Sequence, residues 1–129
     1  MQLVGKLIIK SKDKIIKFLS EESTGRISSI DKEGFPQIIP MNFVFLDNSV
    51  YMHSHIRGEK IENIKHNSKV GFEVDRNLEF LPSYFSDPDD ASLADTLYIS
   101  VVIKGEAVLV EDKKEKILAL NGLMEKYQP

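Results

Sequence analysis

Residues 25–54 read "GRISSIDKEGFPQIIPMNFVFLDNSVYMHS", a run of short strand-like segments parted by turn residues. The first seven, "GRISSID", alternate apolar and polar positions through Ile27 and Ile30, the period of a strand. "DKEG" at 31–34 is a turn, with Gly34 free to take a positive φ. "FPQIIPMNFVFL" resumes as a strand. Pro36 and Pro40 cannot donate ladder hydrogen bonds, so this strand is expected to be interrupted, bulged or at an edge near Pro40. "DNS" at 47–49 makes the next turn. "VYMHS" at 50–54 reads as the third strand. Three strands with short turns form an antiparallel meander.

The flanks extend this pattern. Residues 12–21, "KDKIIKFLSE", read as an amphipathic helix with Ile15, Ile16, Phe18 and Leu19 on its apolar face and Ser11 as its cap. "GEKIENIKHN" at 58–67 reads as a short helix. Its acids, Glu59 and Glu62, come early and its bases, Lys65 and His66, come late, as the helix dipole favours. "KVGFEVD" at 69–75 is a fourth strand. Residues 76–95 carry two prolines and an acidic run at 87–90 and read as a long loop. "TLYISVVIKGEAVLVED" is one long strand or two, bent near Gly105. "KKEKILALNGLMEKY" is a closing helix expected to bury Ile117, Leu118, Leu120, Leu123 and Met124. The whole chain, 1–129, is expected to be one mainly β (α+β) domain. Five or six antiparallel strands would form a small barrel with flanking helices.

Composition narrows the function. The chain has 129 residues, net charge −3 and no cysteine. Its charge argues against general binding of nucleic acid, which needs a surplus of clustered Lys and Arg. The lack of cysteine excludes disulfides, thiolate metal sites and cysteine nucleophiles, and it fits a reducing compartment. The N-terminal "MQLVGKLIIKSKDK" has apolar residues broken by lysines, so neither a signal peptide nor a membrane span is expected. A cytoplasmic protein is the expectation.

The candidate chemistry gathers in "YMHSHIRGEK", residues 51–60. His53 and His55 alternate along an extended segment and so point to opposite sides, which argues against a shared metal ion. Ser54 beside His53 is no triad and lacks the strained glycine-flanked elbow of a hydrolase serine. An anion cradle fits better. A strand end carrying Ser54 leads through Arg57 and Gly58 to a helix whose first turn holds Lys60. A helix N-terminus offers unpaired N–H groups and partial positive charge. The plainer reading stays open at this point: Ser54 caps a turn, and Arg57 and Lys60 are solvated.

The ordered set "G-x-P-x-x-x-P-x-N-F" at 34–43, "Y-x-H-S" at 51–54, "G-x-K" at 58–60 and "N-I-x-x-N" at 63–67 resembles the flavin-binding split-barrel proteins related to pyridoxamine 5′-phosphate oxidase. The branch it resembles is the nitroimidazole-resistance-like group, also described as general-stress-protein-26-related. The likeness runs from about Gly25 to Asp75 and resumes at "YISVVIKGEAVLVEDKKEKILALNGLMEKYQP". It implies a six-stranded split barrel that dimerises and binds FMN at the dimer interface. By position, Ile39, Pro40, Met41, Asn42 and Phe43 would run beside the flavin ring and ribityl chain. His53 and Ser54 would lie by ribityl and phosphate, and Gly58 and Lys60 would hold the phosphate. Ser100 would reach the flavin from the partner subunit, with Tyr98 nearby. Glu59 departs from the family, which often has a base there. Family members usually add another strand after the third helix, so the last barrel strand is expected to be missing from a chain ending at Pro129.

The activity this implies is electron or hydride transfer from a reduced nicotinamide or another donor, through FMN, to a small acceptor. A nitroaromatic compound, a quinone and pyridoxine phosphate are all candidate acceptors. No residue stands out as a catalytic acid or base. The alternatives are a non-catalytic FMN-binding or stress-response protein, or the same fold using F420 or haem.

Overall fold

A computed structural model describes residues 12–55, 57–81, 89–90 and 95–129. Its elements run α1 (Lys12–Glu21), β1 (Gly25–Ile30), β2 (Pro36–Met41), β3 (Val44–Leu46), β4 (Ser49–Tyr51), α2 (Glu59–His66), β5 (Lys69–Leu81), β6 (Asp95–Glu106) and α3 (Lys113–Tyr127). β2, β1, β5 and β6 lie in that order in one antiparallel sheet, and β3 and β4 form a separate hairpin. The mainly β, α+β class is as expected. Among the described residues the two sheets do not join into a closed barrel.

The second strand breaks at Asn42 and Phe43, not at Pro40. Pro40 lies within β2 opposite Arg26, and Pro36 lies opposite Ile30. β2 is an edge strand. The two prolines are four apart and so share one parity, which lets both turn their missing donor to the open side. The third strand ends at Tyr51, short of His53 and Ser54. Its partner β3 begins at Val44, which pairs with Tyr51, so nothing continues the ladder. Asp47 and Asn48 turn this hairpin with φ of 48° and 63°, a conformation these two residue types tolerate.

The first part of the expected loop, residues 76–81, is strand. β5 continues past Asp75 and β6 starts at Asp95, because each supplies the other's ladder through Asn77–Tyr98 and Glu79–Leu97, with a bulge at Leu78. β6 ends at Glu106, one residue after Gly105, so the segment 107–112 is not strand. Asp89 and Asp90 are exposed. The rest of the 87–90 run, both prolines of the loop and the Ser11 cap lie outside the described residues.

β1 buries Gly25, Ile27 and Ser29. Ile27 and Ile30 are an odd number of residues apart, so they face opposite ways, and Ser29 takes the inner place. On α1 the buried pair is Phe18 and Leu19, with Ile15 half-buried beside them and Ile16 turned out. The core joins Phe18, Leu19, Ile27, Phe43, Phe72 and Val74. Phe43 and Phe72 meet edge to face at 5.1 Å, the favoured arrangement of aromatic pairs. Arg76 lies over the Phe18 ring and pairs with Glu21 and Glu22, which ties α1 to β5.

α3 starts where the Asp112 carboxylate accepts the Glu115 N–H at 3.0 Å. It packs on β3 through Gly122, where a Cβ would come within 2.6 Å of Leu46. Of the five residues expected to be buried, Ile117, Leu118, Leu120 and Met124 are exposed and Leu123 is half-buried. The helix touches the hairpin along a narrow strip, so most of its apolar side faces outward in one chain. No described helix is long and apolar enough to cross a membrane.

Candidate functional site

Two segments far apart in sequence meet at the end of β2. Gly58 precedes α2 with φ 136°, a backbone state that favours glycine. It caps the helix without a side-chain acceptor, so the first-turn amides keep donors for another group. From that turn Lys60 reaches back to β2, and its Nζ donates to Met41 Sδ at 3.4 Å. Burial pushes the Lys60 ammonium below its usual range. No carboxylate of the described residues pairs with it. A partly desolvated cation without a counter-charge is stabilised by an anion placed beside it. Glu59 points elsewhere. It lines an acidic cleft of about 300 Å³ with Asp31, Lys32, Glu33, Glu62 and Asn63.

Asn63 fixes this geometry. It is 4% exposed. Its amide nitrogen donates to Ser29 Oγ and to Gln37 Oε1, both at 3.3 Å. One side chain thus pins α2 to β1 and β2, one turn beyond Lys60. Asn63 belongs to the "N-I-x-x-N" pattern, yet sequence reasoning assigned it no role. Its place between Ile61 and Ile64 on the inner face was the signal that a polar residue was being buried.

The break after β2 is held from the far end of the chain. Phe43 is fully buried. Its N–H donates to Tyr127 Oη at 2.9 Å, and that hydroxyl faces the carbonyls of Ser23 at 2.8 Å and Phe43 at 3.0 Å. Lys126 Nζ stands 3.6 Å over the Phe43 ring and donates to the Leu19 carbonyl at 3.0 Å. Neither Lys126 nor Tyr127 was singled out in the sequence, where they read only as the polar end of a helix.

Burial pushes Lys126 down to about 8, with Glu22 pulling the other way. Below that value the lysine is charged in both folded and unfolded chains. Above it the folded chain binds fewer protons than the unfolded one, so stability rises with pH until the unfolded lysine also titrates, near ~10.4. Urea midpoints across this range are expected to rise more steeply in wild type than in Lys126→Met, which keeps only the smaller contribution of Lys60. Parallel pH curves would show that Lys126 is not the titrating group.

Ile39 and Met41 are half-buried on the inner face of β2, while Pro40 and Asn42 are exposed. His53 and Ser54 are exposed beyond β4, and Ser54 Oγ donates locally to the His55 carbonyl at 3.3 Å. Tyr98 and Ser100 lie on the outer face of β6, with Tyr98 65% exposed. β1 and β5 stand between β6 and β2, a distance of about 14 Å at normal strand spacing. A single chain therefore does not bring Tyr98 and Ser100 to Lys60. Ser100 instead donates to Glu73 at 3.4 Å, in a cluster where Arg26 also meets Glu73 and Asp75. Burial, then Asp75, raises the Glu73 carboxyl above its ordinary range. An open cleft of about 520 Å³ lies elsewhere, lined by residues such as Ser28, Gly71 and Lys104, and contains none of the expected site residues.

Residues 11–129 match the family model for pyridoxamine 5′-phosphate oxidase. A comparison with curated protein sequences finds no match. Among solved structures, the chain is similar to a candidate 5-nitroimidazole antibiotic resistance protein from Bacteroides thetaiotaomicron, with a TM-score of 0.79 and 25% identity over 95% of this chain and 69% of that one. A flavocytochrome from Azotobacter vinelandii gives a TM-score of 0.75 at 17% identity, over 90% of this chain and 51% of that one. An FAD-binding protein from Mesorhizobium loti gives 0.63 at 23% identity, over 92% and 79%. The chain thus spans about two thirds of the first of these structures and half of the second.

Proposed function

The chain belongs to the pyridoxamine 5′-phosphate oxidase family, and on that premise we propose that it binds FMN and passes electrons through it to a small acceptor. The observation that carries this reading is the Lys60 ammonium, drawn against Met41 beside an α2 N-terminus without a side-chain cap. That pairing suits a phosphate monoester, which takes a cation and backbone N–H donors together. Gly58 and Lys60 hold the phosphate, with His53 and Ser54 beside it and the ribityl chain. The run Ile39–Asn42 lies along the flavin. Flavin-binding neighbours of the same fold support the cofactor class. The bound flavin supplies the redox chemistry, and the protein binds and orients it.

The same reading makes the active form a homodimer. The outer sheet face of one chain carries exposed Ile38, Tyr98 and Val102, an apolar surface suited to a partner. Tyr98 and Ser100 of a second copy then complete the site. The sheet and the β3–β4 hairpin are taken as parts of one six-stranded split barrel, in a protein of the cytoplasm.

The test is an absorption spectrum and an FMN titration of the purified protein, with its mass in solution. Flavin bands at roughly one per chain, released on denaturation, support the reading. A colourless protein that takes up no FMN overturns it, and a haem Soret band replaces it with the haem alternative. Oxidation of NADH or NADPH by nitroaromatics or quinones then separates an enzyme from a carrier.

A further inference from the structure

We propose that the last turn of α3, through Tyr127 and Lys126, is a positioning device that sets the backbone facing the flavin at the break between β2 and β3. The inference rests on the FMN reading above and deepens it. Phe43 has left the ladder of β2 and has not entered that of β3. Its residue is fully buried, so its N–H and C=O need partners inside the protein. Tyr127 Oη serves both, at 2.9 Å from the nitrogen and 3.0 Å from the oxygen. A phenol has one proton and two lone pairs. The proton is shared between the Phe43 and Ser23 carbonyls, and a lone pair receives the Phe43 N–H.

One hydroxyl therefore stands in for a missing strand. It lets the chain turn out of β2 at Asn42, which is exposed, without leaving a buried amide unpaired. It also takes Phe43's own N–H out of the set open to a ligand; Met41 pairs with Gly25 in the ladder, so Asn42, of the same parity as the two prolines, is left to face the flavin. Lys126 adds a second hold on the same residue, with its Nζ 3.6 Å over the ring and bonded to the Leu19 carbonyl. Consecutive residues of α3 thus clamp Phe43 by backbone and by side chain. Tyr127 does not touch the proposed cofactor. It acts through the peptide between Met41 and Phe43.

Tyr127→Phe removes only the oxygen. The Phe43 amide is expected to exchange with deuterium ~10-fold faster, since its hydrogen bond is lost. FMN and riboflavin are both expected to bind ~10-fold more weakly, because the changed contact is at the ring end they share. The visible bands and midpoint potential of the bound flavin are expected to shift. A merely structural tyrosine would lower stability and leave those two signals where they were. The proposal is overturned if Tyr127→Phe, folded and loaded with FMN, keeps wild-type spectrum, potential and affinity. Wild type supplies a test without any variant: coupling is reciprocal, so FMN should slow exchange at Phe43, and an unchanged rate overturns the proposal even where Tyr127→Phe does not fold. Wild type that binds no flavin sinks the FMN reading itself, a different result from flavin bound without regard to Tyr127.

Discussion

Gly25→Ala is expected to destabilise the fold by about 3 kcal/mol, at the upper end of overpacking costs. Gly25 is buried at the start of β1, opposite Met41 of β2. A Cβ there would sit 2.1 Å from Cζ of Phe72, with two further ring carbons inside 3.0 Å. The ring cannot swing freely aside, since its edge-to-face contact with Phe43 fixes it at 5.1 Å and both rings belong to the core. The cost is steric and not conformational, as Gly25 is not among the glycines of positive φ. Phe72→Leu should relieve the clash. The double variant is then expected to lose clearly less than the sum of the singles, with the difference read from denaturant midpoints. A Gly25→Ala protein within ~0.5 kcal/mol of wild type would mean that the sheet shifts easily at this point. It would also mean that Met41, and Lys60 behind it, are held less firmly than their packing indicates.

The parts of the fold legible in the sequence were those set by local chemistry. Gly34 and the Asp47–Asn48 pair announced their turns, and the 3.6-residue period announced all three helices. Face assignments failed where a polar residue is buried with a distant partner. Ser29 displaced Ile30 from the inner face of β1 because Asn63, on another element, satisfies its hydroxyl, and no local pattern carries that. Residues 76–81 read as the start of a loop, whereas β5 extends through them by pairing with β6, a non-local gain that outweighs their polar composition. α3 was amphipathic enough to place, but its apolar side could not be matched to a surface by sequence alone. Within the site, Gly58 and Lys60 were visible as a motif, and the resemblance gave them an anion. The contact of Lys60 with Met41 was not visible. It depends on where β2 ends, and β2 ends where Tyr127, at the other end of the chain, takes hold of Phe43.

Lys60→Ala is expected to weaken FMN binding by roughly 10- to 100-fold, the range of a charge-assisted hydrogen bond, and to leave riboflavin nearly unchanged. The two ligands differ only by the phosphate, so their ratio isolates the group that Lys60 would meet. The structure gives the lysine little else to do. Its Nζ is drawn against a thioether at 3.4 Å, a weak acceptor, and burial already disfavours its charge. Removing it should therefore cost the free protein little. That separates a lysine kept for a ligand from one kept for the fold. A phosphate dianion beside it would favour the charged form and raise its pKa again. The preference for FMN over riboflavin should consequently fall as pH climbs through the lysine's depressed range, and Lys60→Ala should show no such fall. Isothermal titration of both ligands with both proteins at neutral and alkaline pH reads all of this at once. Equal weakening of FMN and riboflavin would instead place Lys60 at the ring end of the flavin. Loss of stability without change in either affinity would return it to the packing of α2 on β2.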